Sequence, residues 1–166
     1  MAGRCLPFLG DVPYRQGNLA EARKLYEEAI LFIREIHEID LLAYALRRFG
    51  YLTLHEKDYG EAVELFGESL ESNRQVNHLQ GMVACLAGFA SLNLATKSFE
   101  KAALLCGCVE NLLHRTGIPL LMADSVEYNR CVSQLRETLD EKTLSVAWSE
   151  GRDMTLEQAI ELALQT

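Results

Sequence analysis

The sequence is short of what membranes, nucleic acids and disulfide scaffolds require. No apolar run approaches the roughly 18 residues needed to cross a bilayer, and Met1 to Gly10 has no sustained apolar stretch of the secretory kind. Positive charge is in deficit: 16 Lys and Arg against 24 Asp and Glu leave a net −8, which disfavours general binding to phosphate backbones. The deficit is uneven, because residues 1–55 sum to zero and residues 56–166 carry all of it. An anion is therefore expected to meet the first half. Cys5, Cys85, Cys106, Cys108 and Cys131 make an odd number, and their apolar helical settings suit reduced thiols acting as small hydrophobes in a cytoplasmic protein. Cys106 and Cys108 are close in sequence, but residues two apart on a helix diverge by about 200°. No second Cys/His pair has zinc-ligand spacing. Neither a metal nor another cofactor is expected.

Catalytic signals are equally scarce. Glu27-Glu28 and Glu61/Glu64 fall on faces expected to be solvated, and His37, His55, His78 and His114 are scattered. No serine or cysteine is placed with a base and an orienting acid, and there is neither a phosphate-binding glycine loop nor a helix-turn-helix signature. The expectation is a soluble, non-enzymatic protein with no catalytic residue.

What the chain does have is a repeat. Read in steps of 40, Leu6, Leu46 and Leu86 align, as do Gly10, Gly50 and Ala90, then Ala22, Ala62 and Ala102, then Leu25, Leu65 and Leu105. Self-similarity at a period of about 20–50 residues marks a solenoid, whose units bury their apolar faces against one another. With 49% hydrophobic and 24% charged residues, 166 residues suffice for one folded domain.

Each unit reads as two antiparallel helices. In the middle unit, apolar residues from Leu42 to Leu52 recur every three or four positions over about 40–56. Asp58, with Glu61 three residues on, predicts the N-cap of a second helix over 59–77 that carries Ala62, Phe66, Leu70 and Val76. Turns fall at Gly17-Asn18, Lys57-Asp58 and Lys97-Ser98. Pro13 is expected to kink the first helix. After Gly117-Ile118-Pro119 a helix is expected to Leu139, with Val126, Cys131, Val132, Leu135 and Leu139 inward. A second should follow from Asp140 to a C′ residue at Gly151, and a last from Leu156 to Leu164, capped by Thr155. Trp148 is expected as a core anchor.

These residues resemble the tetratricopeptide repeat. Leu46, Phe49, Gly50, Ala62, Phe66 and Ser69 follow that pattern, and so do Leu6, Leu9, Gly10, Ala22, Tyr26 and Ala29. The third unit departs, with Ala90, Cys106 and Val109 at the corresponding places. The run from Gly17 to Glu28 and the ending Ala147-Trp148 to Ala159 are similar to the repeat regions of bacterial AfsR/SARP- or LuxR-type regulators and predicted ATPases. The resemblance implies an all-α right-handed superhelix of three hairpins (about 4–37, 40–77 and 80–115, within 1–117) and a helical cap over 118–166, together one domain.

It also implies a role: a protein–protein interaction module holding a partner segment in a concave groove, the alternative being a small-ligand sensor domain of a regulator. Groove-facing places map to Arg4, Asp11, Tyr14 and Arg15, then Tyr44, Arg47, Tyr51, Leu54 and His55, then Ala84, Ala87, Ser91 and Leu94. Of these, Arg15, Tyr44, Arg47, Tyr51 and His55 are the expected partner-binding residues, because arginine offers forked hydrogen bonds to a carboxylate and tyrosine offers amphipathic contact area. The small residues of the third unit should leave room beside them. Leu6, Phe8 and Leu9 form an apolar edge expected to meet a second copy or an upstream domain.

Overall fold

The computed structural model describes Phe8 and residues 10–165, and among them every regular element is a helix. These are α1 (Asp11–Arg15), α2 (Leu19–Ile36), α3 (Ile39–His55), α4 (Tyr59–Gln75), α5 (Leu79–Ala95), α6 (Phe99–Thr116), α7 (Met122–Thr138), α8 (Glu141–Asp153) and α9 (Leu156–Leu164). Pro13 lies buried within α1. Arg4, Cys5, Leu6 and Leu9 fall outside the described residues.

The helix ends are set by short, repeated devices. Positive φ angles occur at Gly17 (78°), His37 (58°), Lys57 (65°), Asn77 (52°), Lys97 (66°) and Gly117 (66°), which is one left-handed residue every 20 positions. Each stops one helix and reverses the chain. The following helix is often capped at once: Asn18 accepts from the Glu21 amide and Asp58 from the Glu61 amide, each satisfying a first-turn donor that has no partner within its helix.

The chain divides into two compact units, one ending at Gly81 and the other beginning at Met82. In the first, α1 packs on α2, α2 on α3 and α3 on α4, the neighbour-to-neighbour arrangement of a tetratricopeptide-like helical solenoid. Small residues make it possible. A Cβ at Gly10 would stand 2.5 Å from the Tyr26 ring, and one at Gly50 would stand 2.9 Å from the Phe66 ring. The two rings are fully buried, each worth about 2–3 kcal/mol of apolar burial. Tyr26 also stacks on Phe49 of the next hairpin, with ring centroids 6.0 Å apart. Ser69 ties α4 to α3 by donating to the Ala43 carbonyl at 2.6 Å. Val76 lies beyond the end of α4 and is exposed.

In the second unit α6 is the hub, with α7, α8 and α9 all packed against it. At Cys106, where the first two repeats carry an aromatic, α7 supplies the filling: Cys131 lies against it and Tyr128 donates to the Cys106 carbonyl at 3.0 Å. Trp148 anchors α8 by donating to Glu110 at 2.9 Å. Thr155 and Gln158 form a reciprocal capping box at the start of α9. Two expectations need correction. Gly151 does not end α8, which continues to Asp153; it is buried at the crossing with α6, where backbone occupies the space a side chain would need. Val126 points outward, whereas Cys131 and Leu135 are buried as expected and Asp124 is buried too.

Candidate partner-binding face

Tyr44, Arg47, Tyr51 and His55 are three or four residues apart on α3 and share one helical face. The first hairpin brings Asp11 and Tyr14 on α1 to the same region, and Arg15 follows Tyr14 in the chain. There the Asp11 carboxylate gathers three donors: the Tyr26 hydroxyl at 2.5 Å, the Tyr44 hydroxyl at 2.5 Å and the Arg48 Nε at 2.9 Å. Charge-assisted bonds of this kind are about twice as strong as neutral ones. Burial, the Asp11 charge and the hydrogen bond to Asp11 all push the Tyr26 hydroxyl above the usual tyrosine range, so it stays a donor.

Stacked rings and guanidinium groups extend the cluster. The Arg47 guanidinium carbon lies 5.4 Å from the Tyr44 ring centre, and that of Arg48 lies 5.2 Å from Tyr51 and 5.5 Å from Tyr14. Tyr14 meets His55 edge-on at 5.4 Å, and Phe8 lies 4.7 Å from Tyr44. Such cation–π contacts are worth about 0.5–2 kcal/mol, more when water is excluded.

Burial separates the five expected residues into two groups. Tyr44 (8% exposed), Arg47 (3%) and Tyr51 (0%) are packed into the interior, whereas Arg15 and His55 are exposed. Ala84, Ala87 and Ser91 are buried as well. Arg48 was not legible as a member of the cluster. Asp11 corresponds to Tyr51 one repeat later, and Arg48 sits one helical turn before Tyr51. That offset is the signal that could have paired them.

Among the described residues no group of His, Cys, Asp and Glu could hold a metal ion, and no helix is long and apolar enough to cross a membrane. A family model for the tetratricopeptide repeat matches residues 5–75. The match covers the two hairpins in which Gly10 meets Tyr26 and Gly50 meets Phe66, and it supports a tetratricopeptide repeat family for this stretch. No curated protein and no solved structure gives a significant match.

Proposed function

We propose that this chain is a non-catalytic, cytoplasmic protein–protein interaction module that holds an extended partner segment along the face built by α1 and α3. Tetratricopeptide repeats generally hold protein partners, and the match over residues 5–75 is the observation that carries the reading. Arg15 and His55 are the reachable groups; Tyr44, Arg47 and Tyr51 form the buried floor behind them and shape the face. A segment bearing a carboxylate suits that chemistry. The module is a part or a relative of a bacterial signalling or transcription regulator, a reading supported by the 40-residue spacing and by the ending from Ala147 to Ala159.

Panning a displayed random-peptide library tests the site. Acidic peptides should be enriched on the native chain and reduced at least tenfold on an Arg15→Glu/His55→Glu variant that melts normally. Equal enrichment on both would remove this face from consideration.

A second copy of the chain is a further occupant of the N-terminal edge. Phe8 (49% exposed) and Val12 (56%) favour it, while its other expected members, Leu6 and Leu9, lie outside the described residues. Sedimentation of the native chain should then show a dimer that Phe8→Asp/Val12→Asp converts to monomer.

A further inference from the structure

Two thiols face each other inside the second unit. Cys106 Sγ on α6 and Cys131 Sγ on α7 are 3.9 Å apart, both reduced and almost completely buried. A disulfide has sulfurs about 2.05 Å apart, so roughly 2 Å of approach would join them. The two sulfurs are not equivalent. The hydrogen bond shared with Cys106 lowers Cys131 against the opposing effect of burial. The hydrogen bond to Cys131 and burial both push Cys106 well up. Thiolate character therefore belongs to Cys131, and the thiolate is the reactive form.

We propose that Cys106 and Cys131 are a redox pair which a hydroperoxide converts to a disulfide, tying α7 to α6. The Cys131 thiolate attacks the terminal peroxide oxygen, breaking the O–O bond and releasing hydroxide, or alkoxide from an alkyl peroxide. Cys131 becomes a sulfenic acid. The Cys106 sulfur then attacks the Cys131 sulfur; the S–S bond forms, and the sulfenic oxygen leaves as water with the Cys106 proton. Two electrons pass to the peroxide in all.

Access comes through α7. Only Asp124, Cys131 and Leu135 are buried among its 17 residues, whereas α6 buries eight of its 18. A helix held by so few buried side chains belongs to the low-stability end of local opening. Its opening exposes Cys131 while Cys106 stays on the hub. Oxidation is accordingly slow compared with an exposed thiol, and once formed the bond resists reopening.

The test is to treat the full chain with hydrogen peroxide, alkylate remaining thiols and map the peptides by mass spectrometry. The expected product joins the Cys106 and Cys131 peptides, is lighter by two hydrogen atoms and reverts with dithiothreitol. Closing this loop should raise the unfolding midpoint by about 10 °C. A Cys85→Ala/Cys108→Ala variant should behave alike, and Cys106→Ala should leave a sulfenic acid on Cys131 that dimedone labels. The proposal falls if Cys131 is over-oxidised while Cys106 remains alkylatable, or if the cross-link goes to Cys85 or Cys108. A bond that forms without raising the midpoint would remove the tying role. The map of the native chain decides even where a variant fails to fold.

Discussion

A Cβ atom at Gly151 would stand 2.0 Å from the carbonyl oxygen of Leu104, and one at Gly107 would stand 2.2 Å from that of Trp148. The two helices thus touch backbone to backbone, each through the other's glycine. Gly151→Ala must push α6 and α8 apart, outweighing the gain of about 1 kcal/mol that alanine brings to a helix interior. A net loss of about 2–3 kcal/mol is expected in urea unfolding. Gly67→Ala on α4, where a Cβ meets nothing within 4 Å, should instead gain up to about 1 kcal/mol.

The Asp11 carboxylate is the shared acceptor of Tyr26, Tyr44 and Arg48. Tyr26→Phe removes one charge-assisted bond and should cost about 1.5–3 kcal/mol. Asp11→Ala removes all three and takes the carboxylate from Arg48, so about 3–5 kcal/mol is expected. A double-mutant cycle between Asp11 and Tyr26 should give a coupling above about 1 kcal/mol; additive losses would mean that the two side chains act separately.

Gly17 and Lys57 hold the same left-handed turn one repeat apart, with φ of 78° and 65°. A non-glycine residue is strained there by about 1–2 kcal/mol. Exchanging the chemistry should therefore move stability in opposite directions. Lys57→Gly is expected to gain up to about 1 kcal/mol after its added chain entropy in the unfolded state, and Gly17→Lys to lose about as much. Thermal midpoints of the two variants are the comparison.

Stability should fall in alkali. Burial pushes the Cys108 thiol from an ordinary 9.0 up to about 11. Between those values the unfolded chain has released a proton that the folded chain keeps, so stability decreases as pH rises. The contribution is intact below pH 9 and lost through pH 11, about 2–3 kcal/mol in all. Tyr26 and Tyr128, also pushed up by burial, add to the same trend. The Cys108 share is read as the difference in pH slope between the native chain and Cys108→Ala.

Much of the fold could be read from residue types at fixed spacing. The step of 40 placed the turns at Gly17, Lys57 and Lys97, and capping chemistry at Asp58 and Thr155 placed two helix starts. Such local signals survive because they concern a residue and its next three neighbours. Gly151 and Val126 were misread for the complementary reason. Apolar periodicity reports a face, whereas the closeness of the Leu104 carbonyl and the outward turn of Val126 depend on which helix arrives opposite. The partner-binding face shows the same division. Spacing aligned Tyr44, Arg47, Tyr51 and His55 on α3, but the first three are buried, and Tyr44 meets Asp11 and Phe8, far away in sequence.

The even beat of left-handed residues has a genetic corollary. Glu38 follows one such residue, His37, and Asn77 is the next but one. A tandem duplication of codons 38–77 would join Asn77 to a new Glu38, reproducing the kind of junction already present at His37 without any new loop. Growth by whole blocks is thus cheap for this architecture, whereas gain or loss of a few codons inside one helix would rotate the rest of its apolar face by about 100° per residue away from its neighbours.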